Sequence, residues 1–337
     1  MTNRQQMQEI PGALRMTLEK ARAEYGAMVR KVRWGDAPVL ICGAGDYGAL
    51  SQAAIYPFGI FPGWPVVAQP VEVFQTYALM LLKQRSVLII IAAAGESPEA
   101  QELAQTAKQR GCIVVVLTNT PDSPLAKLAD HVLLIHAEGD SDSPAVTVCL
   151  HAALNLLAFE AARALKRPES HWGQVSEEFD QLPDKIEWLF TQLPSVVRSF
   201  AVEVARLPGL RIVGGGFYHY PALQAARRTR FLASPQVGSV EASEFLEAHV
   251  HFARREDAVL FLSGSHSKLR KLLHRCAEQA HANGARVLSL TDGNDRALVE
   301  GSDLGILLPP LLEAPASTLA LFLLEWLAWE VFRAGKS

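Results

Sequence analysis

Val87-Leu-Ile-Ile-Ile-Ala-Ala-Ala-Gly-Glu-Ser-Pro-Glu99 is the stretch from which the rest of this chain can be read. Val87 to Ile91 is an apolar run long enough for a buried strand and too short to cross a membrane. Three alanines and Gly95 follow, then Ser97-Pro98-Glu99, a helix-start signature with Ser as N-cap, Pro in the first turn and an acid behind it. A strand that ends in a small-residue loop and opens a helix gathers free backbone N–H groups and the positive end of a helix dipole at one spot, which suits a phosphate. The helix runs through Gln101 to Arg110 and stops at Gly111, and a second apolar strand over residues 112–117 closes a βαβ unit.

Working outward, 337 residues allow two domains of ordinary size. A chain that is 49% hydrophobic and 20% charged has the composition of a globular protein with a substantial core. Its formal net charge of -3 argues against a general nucleic-acid or membrane-surface binder. Cys42, Cys112, Cys149 and Cys276 are far apart and show no metal-binding spacing, so reduced thiols in a cytoplasm are expected, with no metal. No signal-peptide core follows Met1, and no uninterrupted apolar run reaches the length of a membrane span.

In order, residues 7–34 read as helix with Leu14, Leu18, Ala21 and Tyr25 on one face. Residues 39–42 read as a strand, Gly43-Ala44-Gly45-Asp46 as a tight loop, and residues 49–55 as a helix. Pro57, Pro62, Pro65 and Pro70 make residues 56–70 a rigid, irregular connection, and a helix is expected near residues 74–83. A short helix, a strand over 131–135 and a long apolar helix over 145–165 follow. The polar stretch 166–184 is taken as the start of a linker. The expected organisation is a helical segment 1–34, an α/β subdomain 35–165, a linker 166–189 and a second subdomain 190–337. The halves resemble one another: an ungapped offset of about 173 residues puts Val39–Gly43 on Ile212–Gly216, Gly111 on Gly284 and Asp130 on Asp303. Two copies of one α/β unit follow, each a parallel sheet between helical layers, with ligands expected at the carboxyl ends of the strands.

The same residues resemble the tandem sugar isomerase (SIS) family. The likeness is to the isomerase domain of glutamine-dependent glucosamine-6-phosphate synthase and to the fructosamine-6-phosphate deglycases. Cys42-Gly-Ala-Gly45 sits where that family has Cys-Gly-Thr-Ser, and Ala92-Ala-Ala-Gly-Glu-Ser97 where it has Ser-Gln-Ser-Gly-Glu-Thr. Gly214-Gly-Gly-Phe-Tyr-His-Tyr-Pro-Ala-Leu223 resembles its second Gly loop, and Glu241-Ala-Ser-Glu-Phe245 the approach to its Glu-x-x-His-Gly-Pro motif. The resemblance implies two three-layer αβα subdomains, a sugar-phosphate ligand, no cofactor and a homodimer. It implies ligand contacts at Gly43, Ala44, Gly45, Gly95, Glu96, Ser97 and Thr147.

The departures bear on chemistry. Two of the three phosphate-binding hydroxyls of the first loop are replaced by Ala92 and Ala94, leaving Ser97. The family's Ser-Thr-Lys turn matches Val146-Thr147-Val148. Its proton-transferring Glu falls on Phe231, its ring-opening His on Glu247, its Gly-Pro on Ala248-His249, and the Lys one turn before the base on Arg228. If the chain is an enzyme, an isomerase or deglycase on amino or keto sugar phosphates, Glu247, His249 and Arg228 are its candidate acid–base set. The alternative is a non-catalytic binding or regulatory protein.

Each site also has a plainer explanation. Gly43, Gly45 and Gly95 serve tight turns whether or not an anion binds. Ser265 and Ser267 fall on Ala92 and Ala94 by the offset, with Lys268 beside them, so the second copy is a candidate ligand site; Ser267 equally suits an N-cap in a solvated loop. Glu247, His249 and His251 would share a face in a strand, which is weak evidence for a metal, whereas the family likeness implies a helix end. Arg227, Arg228 and Arg230 suit a phosphate or a salt-bridge network. A dinucleotide-binding oxidoreductase is less well supported, because Gly43-Ala-Gly45 lacks the third glycine of that fingerprint.

Overall fold

The computed structural model describes residues 3–32, 34, 38–167, 171–233, 236–252 and 258–335. The chain divides into two compact units, Met1–Pro183 and Asp184–Ser337.

In unit 1, helix α1 (Asn3–Lys31) buries Leu14, Leu18, Ala21 and Tyr25 on the face that their spacing marks out. The strands are β1 (Val39–Gly43), β2 (Val66–Pro70), β3 (Val87–Ile91), β4 (Ile113–Thr118) and β5 (His131–Leu134). They form one parallel sheet in the order β2-β1-β3-β4-β5. The β-branched runs of β3 and β4 lie at its centre, where a strand covered on both faces has no solvent side to keep polar. Leu40, Cys42, Leu88, Ile90, Val114 and Val116 pack beneath the helical segment α4 (Val71–Leu81) and α5 (Pro98–Gln109). Helices α2 (Gly48–Ala53), α3 (Ile55–Ile60), α6 (Pro124–Leu128) and α7 (Pro144–Ala164) complete the layers, and α1 packs along α7. Helices α5, α6 and α7 each open on a Ser-Pro pair, with Ser97, Ser123 and Ser143 accepting from the backbone N–H three residues on.

Unit 2 repeats the plan. Its strands are β6 (Leu210–Gly214), β7 (Val237–Glu241), β8 (Ala258–Leu262), β9 (Arg286–Asp292) and β10 (Leu304–Leu308), in the order β10-β9-β8-β6-β7. Helix α8 (Trp172–Gln192) crosses the unit boundary. Helices α9 (Pro194–Ala205), α10 (His219–Leu232), the segment α11 (residues 242–252), α12 (Arg270–Ala282), α13 (Arg296–Glu300) and α14 (Glu313–Ala334) follow.

The repeat reaches fine detail. Gly43 and Gly214 each leave no room for a Cβ, which would strike the carbonyl of Tyr47 or Tyr218. Gly45 and Gly216 have φ values of 56° and 58°, the left-handed region that glycine enters without strain. Asp130 and Asp303 each accept from the first buried amide of the neighbouring strand, Val114 at 2.9 Å and Val287 at 2.7 Å.

Four expectations change. The offset is not constant: Val39, Val66 and Val87 correspond to Leu210, Val237 and Ala258, 171 residues on, whereas Ile113 and His131 correspond to Arg286 and Leu304, 173 residues on. The second copy therefore carries two extra residues between its third and fourth strands, and Ser263 and Ser265, not Ser265 and Ser267, lie opposite Ala92 and Ala94. Residues 56–70 hold a helix end and strand β2; a sheet edge tolerates Pro70, which needs to donate no ladder bond there. Residues 71–81 form an irregular helical segment with a wide turn at Phe74–Ala78, repeated at Phe245–His249, so the alternate-residue face of a strand is lost for Glu247, His249 and His251. Most of the expected linker is α8. Helices α7 and α14 are long and apolar enough to cross a bilayer by composition, but their apolar windows are 100% and 89% buried, as those of core helices are.

Candidate functional site

The strand order β2-β1-β3-β4-β5 reverses its direction of growth between β1 and β3, so loops leaving their carboxyl ends part and open a crevice. In unit 1 the crevice is built from Gly43-Ala44-Gly45, residues 92–97 and the loop that leads from β5 into α7. The N–H of Ala44 bonds the carbonyl of Ile91 at 3.0 Å and ties the first loop to the second. Asn119, just past β4, holds Ala137 by both amide atoms, at 2.7 and 3.2 Å. The Tyr47 hydroxyl donates to the carbonyl of Ser141. The β5–α7 loop therefore runs from Asn119 to Tyr47 over the strand ends, and α7 begins there.

Gly95 has φ 66°, and a Cβ on it would collide with Ser123, so the turn admits glycine only. Ser97 is occupied as the N-cap: its Oγ accepts from Ala100 N at 3.1 Å and donates to Glu99 Oε2 at 2.9 Å. The exposed Glu99 carboxyl is held below its usual range by its own backbone N–H and by that hydroxyl. Among the described residues nothing accepts from the backbone N–H groups of Ala94, Gly95, Glu96 or Ser97. A run of such donors at the start of a 12-residue helix, at the positive end of its dipole, suits an anion. Thr147, in the first turn of α7, is 3% exposed, and its hydroxyl has no partner among the described residues. Glu96 is exposed and contributes to this surface through its backbone.

The three proposed acid–base residues are not assembled. Arg228 lies on α10 with Nε 2.7 Å from Glu325 Oε2 on α14, and Gln224 Nε2 donates to the other oxygen at 3.1 Å. Glu325 is 0% exposed, and burial holds its carboxyl above the usual range against the pull of Arg228. Arg228 thus neutralises a buried carboxylate. His249 lies on α11, where Nδ1 accepts from Arg211 Nη1 at 2.6 Å and Nε2 faces Glu244 at 3.4 Å. Arg211 is the second residue of β6, near the amino end of the strand, whereas the Gly loop leaves its carboxyl end. Helices α10 and α14 pack together, while α11 packs with α12 through Phe245, Leu273 and Cys276, so Arg228 and His249 belong to opposite layers of the sheet. Glu247 is exposed, with no partner among the described residues. Phe231, near the end of α10, is 79% exposed.

In unit 2, Ser265 donates both its N–H and its hydroxyl to Asp292 Oδ2, at 2.6 and 3.0 Å. The N–H of Lys268 donates to Glu313 Oε1 at 3.0 Å, and Ser267 Oγ accepts from Leu269 N at 3.3 Å. Asp292 and Glu313 were missed in the sequence. They lie 27 and 45 residues from their partners, and the shifted repeat register hid the correspondence.

The sequence profile of the SIS domain matches residues 38–162 and 212–328, one match in each unit. The chain belongs to the SIS family. Among curated relatives, glutamine–fructose-6-phosphate aminotransferase (isomerizing) of Pyrococcus horikoshii is 25% identical over 295 residues, covering 87% of this chain and 48% of the relative. The corresponding protein of Streptococcus pyogenes serotype M1 is 24% identical over 232 residues, covering 68% and 38%. The SIS chain described here thus spans about half the length of the curated relatives it matches, or less. Among solved structures, the C-terminal domain of glucosamine-fructose-6-phosphate aminotransferase from Francisella tularensis superposes with TM-score 0.88 at 14% identity, covering 100% of this chain and 96% of that one. Tagatose-6-phosphate ketose/aldose isomerase from Escherichia coli superposes with TM-score 0.79 at 17% identity, covering 99% and 93%. These likenesses establish two SIS-type αβα subdomains and kinship with phosphosugar isomerases.

Proposed function

We propose that this SIS chain binds a phosphorylated amino or keto sugar in the crevice of unit 1, as a divergent relative of the phosphosugar isomerases and deglycases. The observation that carries the proposal is the row of N–H groups at Ala94, Gly95, Glu96 and Ser97, at the start of α5, that have no acceptor among the described residues. Phosphate oxygens would accept from that row, and the Thr147 hydroxyl and the Gly43-Ala44-Gly45 wall would line the rest of the crevice. Hydrogen bonds to a charged group contribute roughly 1.5–3 kcal/mol each, so main-chain donors can hold an anion without the hydroxyls replaced by Ala92 and Ala94. The proposal extends to a cytoplasmic homodimer that needs no cofactor. The free, buried state of all four cysteines accords with a reducing compartment.

A second reading, a non-catalytic sugar-phosphate-binding regulator, is favoured by the exposed Phe231 at the position of the base. A phenyl ring moves no proton, and loss of a positioned base costs about a hundredfold to ten-thousandfold in rate. Thermal-shift titration with glucosamine-6-phosphate, fructose-6-phosphate and fructosamine-6-phosphate, against the same sugars without phosphate, tests binding. Stabilisation by phosphorylated sugars only is expected, about 2.7 kcal/mol at a hundred times Kd; no stabilisation by any of them refutes the proposal. An isomerisation and deglycation assay on the same protein separates the two readings, since ordinary turnover excludes the regulator.

A further inference from the structure

The two units share a crevice plan but treat its donors in opposite ways. In unit 1 the amides of residues 94–97 have no acceptor among the described residues. In unit 2 the corresponding loop, residues 263–269, meets two carboxylates of its own chain. Asp292 Oδ2 takes both donors of Ser265, and Asp292 Oδ1 takes the N–H of Asn294 at 2.9 Å. Glu313, the first residue of α14, takes the N–H of Lys268 and is also bonded by Ser267. The equivalent of Asp292 in unit 1 is Asn119, whose amide is turned away to Ala137.

The Tyr218 hydroxyl and Asp292 Oδ2 both border Gly264. Burial raises the Tyr218 hydroxyl first, and the charges of Glu313, Asp292 and Asp295 raise it further. Gly264 permits this approach, since a Cβ there would strike the Tyr218 hydroxyl and press on Asp292. Ser263, opposite Ala92 in the strand register, is buried with a hydroxyl that has no partner among the described residues. Lys268 and His266 stand close enough to favour the charged form of Glu313, which burial otherwise opposes. The loop therefore retains donors and positive charge suited to an anion, and the chain's own carboxylates use them.

We infer that the crevice of unit 2 is a latent oxyanion site closed by Asp292 and Glu313, which occupy the donors that a phosphate would need. A phosphate entering there would have to displace two carboxylates and sit beside their charge, which like-charge repulsion opposes. Replacing both carboxylates by amides removes those two charges and leaves only neutral, weaker acceptors, so an external anion can compete for the N–H donors, the Ser263 hydroxyl and Lys268. This inference concerns unit 2 and stands whether or not unit 1 binds a sugar phosphate.

The test follows backbone hydrogen exchange and calorimetric stoichiometry with inorganic phosphate, with chloride at matched ionic strength as control. In the wild-type chain phosphate should change exchange at residues 263–269 by less than about twofold, the loop being already bonded internally. In the folded Asp292→Asn/Glu313→Gln variant phosphate should slow exchange there by about tenfold and add one bound phosphate per chain. Protection of residues 263–269 by phosphate in the wild-type protein overturns the inference, as does a folded double variant that gains no phosphate. If the double variant does not fold, Asp292→Asn alone should let phosphate protect the Ser265 amide, and failure there overturns it too. Failure of the sugar-phosphate proposal would read separately, as absence of ligand protection at residues 94–97.

Discussion

Removing the Arg228 side chain should destabilise unit 2 in a way that identifies its role. Its Nε lies 2.7 Å from Glu325 Oε2, and Glu325 is wholly buried with one further donor, Gln224 Nε2 at 3.1 Å. Arg228→Ala leaves a buried carboxylate beside a single neutral donor, and its cheapest response is to take up a proton. Counted from the ordinary carboxyl value near 4.3, protonation at pH 7 costs at most about 3.7 kcal/mol, and less because burial already holds the Glu325 carboxyl above that value; a broken buried pair typically costs roughly 3–5 kcal/mol. The folded variant then carries one proton more than its unfolded chain, so the loss shrinks by about 1.4 kcal/mol per pH unit as pH falls, to about 1 kcal/mol at pH 5. Adding Glu325→Gln should restore most of the stability at pH 7, because the buried group no longer has a charge to lose. Urea unfolding of both variants at pH 7, 6 and 5 measures this through the transition of unit 2. A loss below about 1 kcal/mol at pH 7, or one that does not change with pH, would refute the argument. Full stability combined with lost turnover would place Arg228 in a catalytic set.

Other outcomes can be stated together. Burial depresses the His151 imidazole to a pKa of about 3. The unfolded chain binds that proton near 6.5, so this contribution to stability is complete above about pH 6.5 and is lost by roughly 1.4 kcal/mol per pH unit below it; a folded His151→Leu variant should lack that slope in urea titrations between pH 6 and 4. Ser97→Ala should cost about 0.5–2 kcal/mol, as loss of an N-cap does, yet change phosphorylated-sugar affinity little, because the hydroxyl is already bonded to Ala100 N and Glu99; calorimetry and chemical denaturation report the two separately. Light scattering should give twice 36.8 kDa for the proposed homodimer, and the monomer mass at micromolar concentration would refute it.

Much of the architecture is legible in residue order because it rests on local rules. The run Val87-Leu-Ile-Ile-Ile91, the Ser-Pro-Glu helix start and Gly111 place a strand, a turn and a helix within a few residues, since backbone sterics and capping act at that range. The left-handed turns at Gly45 and Gly216 are likewise local, and they preserve the repeat. Strand β2 escaped because four prolines dominate its neighbourhood, and whether an edge strand tolerates Pro70 depends on which side of it the sheet lies.

The site divides along the same line. That Gly95 and Ser97 form a turn and a cap follows from neighbours in the chain. That residues 94–97 keep their amides unpaired while Ser265 and Lys268 give theirs to Asp292 and Glu313 depends on carboxylates 27 and 45 residues away, delivered by strand order and a two-residue shift in the repeat. Likewise Arg228 and His249 read as partners along the sequence, but α10 and α11 cover opposite faces of one sheet, and each meets its own partner there, Glu325 or Arg211. Spacing along the chain sets what a residue's own turn can bond. Which distant charge reaches it is decided only when the strands have paired and the helices have chosen their faces, because a hydrogen bond acts over about 3 Å and carries no memory of sequence separation.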